Sequence, residues 1–597
     1  MVSSLPASRR RLWRAWLFRG LRAWTQPGRD GENIGMLVLA AVVGVLAGGA
    51  AVLFGMAIHG VQILSFRAAE PTESLLRTLP WWQILFVPAA GGLAVGLLTT
   101  YAVGEARGHG VPEVMKSLAL LAGRIRGRVA AAKLVASALT IGTGGSCGRE
   151  GPVIQIGAAI GSKAGQVLRL GPRQLRTLVG CGAAAGIAAT FNAPIAGAVF
   201  ACEVLLGGFG LTLFGPIVIS SVVATMTMRF FNGPAPVFRP PPCGVVSPEE
   251  LAAYVLLGLA AGLVSWAYIR LNALVQELFA KLAASRPARA VSPAIGGLAV
   301  GAIALLLPQV MGDGHAVSNA AFSAQYPLGL LGILVAAKIV STSLTLGSGG
   351  SGGVFSPAIC IGALLGAAFG MVFAPVLGGG FAGVAAWSLV GMGGMVAGSM
   401  LAPMTAILMA FEITRTYTIV IPVMLVSCLA TVVTSRLTKA LSIYTWGLAR
   451  AGVRLYRGAA PSRLKGRKAG ELMHTEYAHA PGGEKALVVT GLLLSSPWER
   501  IYLVDRAGGL EGVVGLGVVR RLLLSPKVMS EVMLAEDLAR KELPVVHADD
   551  DLSTAVETFI RSGEEELPVV EGMAPGKLVG VLRHRDVMGA LRETLAR

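Results

Sequence analysis

The 597-residue chain reads as an α-helical polytopic membrane protein, built from two related halves and followed by a small soluble α/β module. Three observations predict this. Apolar residues make up 54% and charged residues 14% of the chain, and mean hydropathy is +0.67, which is far too apolar for a soluble chain of this size. A Gly-rich, Pro-punctuated passage occurs twice: residues 131–161 and 336–366, 205 positions apart, agree at 17 of 31 positions. Duplicated apolar segments interrupted by Gly and Pro mark a transporter in which broken helices meet near the middle of the bilayer. Beyond about residue 465, charge density rises and apolar runs shrink to 4–5 residues, the pattern of a packed α/β module.

The elements follow in order. Residues 1–32 form a basic cytoplasmic arm, in which Trp13, Trp16 and Trp24 among seven arginines suit the membrane surface. The arm lacks the short apolar core and cleavage site of a secretory signal. Residues 33–232 form a first membrane half, with plain spans at 34–63 and 81–104. The Pro-rich break 232–244 separates it from a second half, 245–452, with plain spans at 250–281 and 416–439. Each span exceeds the roughly 20 residues a crossing needs. The 79 glycines fit helices that approach closely or are interrupted. The formal net charge of +18 is concentrated before the first span and again from Arg450 to Lys468. That placement points to anionic lipid and to cytoplasmic termini, and argues against nucleic acid. The six cysteines show no metal-ligand spacing and read as reduced packing residues. No metal or cofactor is expected.

The halves match beyond the opening passage. Gly108-His109-Gly110 returns as Gly312-Asp313-Gly314, and NAPIAGAVFACE (192–203) returns as LAPMTAILMAFE (401–412). Each half therefore carries a GxG turn, a Lys-bearing helix, a GxxxP turn and an AP…E helix. Short broken helices favour an inverted repeat.

Three turns share one design: GHGVP (108–112), GREGP (148–152) and GVFSP (353–357). Proline suits a first helical turn, where its missing N–H costs nothing, and glycine lets the backbone bend with its amides exposed. A helix start presents free N–H groups and partial positive charge, so several aimed at one point make an anion site. His109, Gly110, Arg149, Gly151, Val354 and Phe355 are the candidate anion-binding residues. Glu150 is a carboxylate at membrane depth, which costs roughly 2.5–3.5 kcal/mol and so requires a reason. Beside converging helix starts it can occupy the anion site when ionised and leave when protonated. Glu203 and Glu412, at matching repeat positions, read as scaffold caps or ion-pair partners. Lys133 and Lys338 read as sources of positive potential or as partners of such carboxylates.

These motifs, with FNAPIAG (191–197) and SIYT (442–445), resemble those of the CLC family of chloride channels and chloride/proton exchangers over about residues 35–455. The resemblance implies a CLC-type inverted repeat and a homodimer with a separate anion pathway in each subunit. It implies a central chloride held by the Val354 and Phe355 amides and the Tyr444 hydroxyl, with Glu150 as the gate. Two positions depart from the family pattern. His109 stands where chloride-selective members have serine, and a protonated imidazole there would tie anion binding to pH near about 6.5. Val204 stands where exchangers have an internal glutamate, so the expectation is a passive anion channel gated by Glu150, with chloride/proton antiport as the alternative.

Residues 540–590 resemble a CBS domain, and residues 469–524 a degenerate partner carrying IYLVD (501–505) and LEGVVGL (510–516). Such pairs often bind adenine nucleotides through a Ser/Thr and an Asp three residues later. This chain offers Arg583 and Asp586 in the second copy and Gly515 and Val518 in the first, so neither nucleotide site is complete. The tail is expected to stabilise a dimer. Enzyme activity is not expected: an intramembrane protease using Ser348 and His315 lacks a second supporting feature, and Ser348 is simply the counterpart of Thr143. A membrane-tethered nucleotide sensor without transport is the other rival.

Overall fold

The computed structural model describes residues 31–590 apart from 70, 235–237, 239–240, 242–247, 374–382, 415–416, 418, 451–466, 497, 517, 519–532, 542, 563, 573–575 and 588. The basic arm with its tryptophans, most of the Pro-rich break with Cys243, and most of the basic stretch after Arg450 lie outside the described residues. The chain divides into two compact units, Met1–Leu455 and Tyr456–Arg597.

In the first unit the helices fall into two series. The first half runs α1 (Gly31–Phe66), α2 (Glu73–Thr78), α3 (Trp81–Tyr101), α4 (Val111–Leu120), α5 (Arg128–Gly142), α6 (Glu150–Val167), α7 (Pro172–Phe191), α8 (Pro194–Phe200) and α9 (Leu211–Asn232). The second half runs α10 (Pro248–Leu282), α11 (Arg286–Leu306), α12 (His315–Phe322), α13 (Leu328–Gly347), α14 (Phe355–Phe373), α15 (Gly383–Met400), α16 (Pro403–Thr414), α17 (Val420–Thr438) and α18 (Thr445–Arg450). From α3/α11 through α9/α17, each helix of one half has a counterpart in the other. Among the described residues, nine helices are long and apolar enough to cross a membrane. They include the four plain spans, and α9, α11, α13, α14 and α15 join them. The shorter α4, α5, α8, α12 and α16 are the broken elements.

Glycines set the closest approaches, and they do so twice. Along α6 and α7, a Cβ on Gly157 would lie 2.0 Å from the Gly182 carbonyl oxygen, and one on Gly182 would lie 1.9 Å from that of Gly157. In the second half, Gly362 and Gly391 stand in the same relation, each 2.5 Å from the other's carbonyl oxygen. The pair α3 and α11 crosses between halves, with Gly92 against Pro293 and Gly297 against Pro88. In lipid no hydrophobic force drives helices together, so contact of this kind, backbone on backbone, supplies the packing.

The second unit is two copies of one plan. β1 (His479–Pro481), α19 (Ala486–Ser495), β2 (Arg500–Val504) and β3 (Leu510–Gly515) form a three-stranded sheet in which β2 pairs parallel with β1 and antiparallel with β3. After α20 (Ala535–Leu538), the segments β4 (Val546–His547), α21 (Leu552–Ser562), β5 (Glu566–Glu571) and β6 (Lys577–Arg583) repeat that order and those senses. Tyr502 and Val513 from one sheet share a buried cluster with Val570, Leu578 and Val581 from the other. The first copy keeps the strand topology although its sequence is degenerate.

Candidate anion site

The three glycine turns meet. The Gly148 N–H donates to the Gly353 carbonyl (2.8 Å) and the Gly353 N–H to that of Gly148 (2.6 Å). The Gly108 N–H donates to Gly350 (3.1 Å), and the Gly352 N–H to Gly108 (3.3 Å). Gly110, at φ 86°, is in a conformation that a Cβ disfavours. A Cβ there would also lie 2.8 Å from the Gly151 carbonyl oxygen, and one on Gly151 would lie 2.3 Å from that of His109. The starts of α4, α6 and α14 therefore converge at backbone distance, the arrangement that makes an anion site from amides.

Lys133 and Lys338 hold this geometry from behind. Each buried ammonium donates to two carbonyls of its own GxG segment: Lys133 to Ala106 (3.1 Å) and Gly108 (2.6 Å), Lys338 to Val310 (3.0 Å) and Gly312 (2.9 Å). Neither lysine pairs with Glu203 or Glu412, contrary to one of the two expected roles. Those carboxylates instead cap each other's repeat. Glu203 accepts from the Met404 and Thr405 N–H groups (3.1 and 2.8 Å) at the start of α16. Glu412 accepts from the Ile195 and Ala196 N–H groups (3.0 and 2.7 Å) at the start of α8.

Glu150 is fully buried. One carboxylate oxygen accepts from the Ser356 N–H (3.2 Å), and the other accepts a short hydrogen bond from the Ser356 hydroxyl. The carboxylate thus sits on the first turn of α14, beside the Val354 and Phe355 backbone, where a bound anion would compete with it. Arg149 turns elsewhere: it lines a cavity with His59, Thr190 and Asn232, and its Nε is buried without a hydrogen-bond partner. Tyr444 is 1% exposed, touches Met400 Sδ through its hydroxyl (3.6 Å), and meets Phe200 edge-on (6.4 Å). Phe200 and Phe191 in turn pack on Phe355.

The polar residues of one span were missed at the level of sequence. Tyr268, Asn272 and Gln276, spaced four apart on α10, lie along the site. Tyr268 donates to the Val354 carbonyl (3.4 Å), and the Gln276 amide donates to Asn272 Oδ1 (2.7 Å) and lies 3.2 Å from His109 Nε2. A donor facing Nε2 makes it an acceptor and leaves the ring proton of a neutral His109 on Nδ1. His109 Nδ1 and Asn272 Nδ2 are both buried without a partner. The i, i+4, i+8 spacing was visible, but three uncharged polar residues inside an apolar span carry no signal of their own. Val204 lies buried on the π-helical turn Ala201–Leu206 that continues α8.

Ser348 and His315 are engaged separately. The Ser348 hydroxyl donates to Thr345, whereas His315 contacts Asp313 and Ser356. In the second unit, Asp586 is bonded to His474 (2.8 Å), while Arg583 lies over the Trp498 ring (4.3 Å) and 3.3 Å from Glu566. Both residues named for the incomplete nucleotide site thus already have protein partners.

Converging helix starts in a duplicated, broken-helix bundle, with a buried carboxylate resting on one of them, define a membrane anion transporter. Residues 91–435 match the model of the voltage-gated chloride channel family, and residues 535–593 match the CBS domain. A chloride channel protein described as ClcB-like from Ralstonia nicotianae is 36% identical over 70% of this chain and 97% of its own length. The H+/Cl− exchange transporter ClcA of Citrobacter koseri is 33% identical over 71% of this chain and 90% of its own. A solved slow cyanobacterial Cl−/H+ antiporter is 25% identical, with TM-score 0.64 over 70% of this chain and 97% of that one. The chain belongs to the voltage-gated chloride channel (CLC) family and is a multi-pass integral membrane protein that transports anions.

Proposed function

We propose that the protein exchanges chloride for protons across a bacterial inner membrane, as a homodimer with one pathway per subunit and with Glu150 as the gate. The observation that carries this reading is the Glu150 carboxylate seated on the Ser356 N–H and hydroxyl at the start of α14. Ionised, it occupies a site made for an anion; protonated, it loses the charge that holds it there, and chloride takes its place. In this reading the central chloride lies against the Val354 and Phe355 amides and the Tyr444 hydroxyl. The Gly110 and Gly151 amides, Arg149 and the Nδ1–H of His109 shape the potential along the path. Both termini are cytoplasmic, and the tail stabilises the dimer without sensing nucleotide.

Exchange displaces the channel expectation, which rested on Val204, because an exchange transporter and an antiporter are among the relatives. The channel stays as a second reading on two grounds: Val204 cannot accept a proton, and the ClcB-like relative is called a channel. Simultaneous chloride and proton recordings from reconstituted vesicles test both. Exchange requires that a chloride gradient drive protons uphill; rapid chloride movement with no proton movement would establish the channel.

A further inference from the structure

The Ser356 hydroxyl that holds Glu150 is itself the inner end of a chain of side chains. Ser356 Oγ lies 3.1 Å from His315 Nε2, and His315 Nδ1 lies 3.0 Å from Asp313 Oδ2. The Asp313 carboxylate is anchored by the His315 N–H (3.1 Å). Exposure rises along the chain: Glu150 is 0% exposed, whereas the His315 and Asp313 side chains are 13% and 27% exposed. Phe191 and Phe238 stand edge-on to the imidazole at 6.4 and 5.1 Å and restrict its tilt.

We infer that Asp313, His315 and Ser356 form a proton relay that loads and unloads the Glu150 gate from the solvent at the Asp313 end. This rests on the reading of Glu150 as the gate. The repeat argues for a function beyond folding. At the matching places the first half has His109, Val111 and Gly151, of which only His109 is titratable, so these turns form without a linked series of titratable side chains.

The step balances. An imidazolium at His315 donates through Nε2 to Ser356 Oγ while the serine hydroxyl proton passes to Glu150 Oε1. The products are a neutral carboxylic acid, a serine hydroxyl and a neutral imidazole whose Nδ1–H faces Asp313. The imidazolium itself forms when solvent at the Asp313 end protonates Nδ1 of the Nε2–H imidazole, and unloading runs the same steps in reverse. The charged and titratable groups around the relay come from every neighbouring element. Asp313 precedes α12, Cys147, Arg149 and Glu150 stand at or just before the start of α6, Lys338 is on α13, and Cys360 is on α14.

The test uses the full-length protein in vesicles, comparing wild type, His315→Gln, His315→Ala, Ser356→Ala and Glu150→Gln. Anion flux in the wild type should rise through an inflection as pH falls. His315→Gln keeps hydrogen-bonding groups but cannot relay, and should lose the inflection and slow proton flux by at least about tenfold. Ser356→Ala should do the same, and imidazole buffer should restore His315→Ala. Folding of His315→Ala is read from the double variant with Glu150→Gln, which should pass anions as fast as Glu150→Gln alone. If that double variant is inactive, His315→Gln decides. A wild-type pH profile in His315→Gln, while Glu150→Gln abolishes the pH dependence, overturns the relay and leaves the gate. A wild-type profile in Glu150→Gln itself overturns the gate reading.

Discussion

At the residue scale, the proposed function gives Glu150 and His109 opposite means of acting on the anion. As the proposed gate, Glu150 acts by occupying an anion site, so its effect depends on ionisation more than on shape. Glu150→Gln should therefore pass chloride at least as fast as the wild type, with a flattened pH profile; a steep remaining profile in the flux assay would remove Glu150 from the gate. His109 is held as an acceptor by Gln276, which favours the uncharged ring and argues against a cationic histidine in the path. His109→Ser should change the chloride-to-nitrate preference because it replaces one buried donor with a smaller one, and the turn, which needs only Gly110 and Pro112, should survive. Bi-ionic measurements giving identical selectivity would place the imidazole outside the pathway. Asn272→Leu removes the second buried, unpaired donor and should weaken chloride affinity several-fold in a competition assay.

At the scale of elements, reciprocity dominates. Glu203 caps α16 and Glu412 caps α8, so each repeat finishes the other's broken helix. Two free N–H groups at a helix start in an apolar setting are costly, and a carboxylate cap typically contributes about 1 kcal/mol. Glu412→Ala should lower the detergent-solution melting temperature by several degrees, and Glu203→Ala should do likewise. If either variant melts with the wild type, the caps are dispensable. Gly157 and Gly182 leave no room for a Cβ on either side. Gly182→Leu should separate α6 from α7 and lose both stability and transport, since α6 begins at Glu150.

At the scale of the whole molecule, two separately compact units divide the work. Both copies of the repeat and Tyr444 lie upstream of residue 456. A chain ending at residue 460 should still move anions in vesicles, and loss of all flux on truncation would show that the tail is needed for transport. Arg583 and Asp586 are already occupied by Trp498, Glu566 and His474. Full-length protein should accordingly bind ATP or AMP weakly or not at all by calorimetry; micromolar binding would make the tail a sensor.

The sequence by itself determined the membrane class, the duplication, the three glycine turns and the place of a carboxylate, Glu150, in one of them. Those are properties of local backbone: glycine and proline at fixed spacing dictate where helices can break, and apolar length dictates where the chain can cross lipid. The resemblance to CBS domains also pointed to two related segments in the second unit. Which partners the special residues take was decided only by tertiary structure. Lys133 and Lys338 could have neutralised Glu203 and Glu412, but packing sends the lysines to carbonyls of the GxG segments and the glutamates to helix starts in the opposite half. Asp313 and His315 are two residues apart in sequence, yet Ser356 and Glu150 reach them only because α14 is laced to α6 through Gly148 and Gly353. Residues about 205 positions apart meet because two halves interlock, and no local pattern encodes the interlocking: it follows from how backbone surfaces fit once lipid has removed the hydrophobic force that would otherwise choose partners.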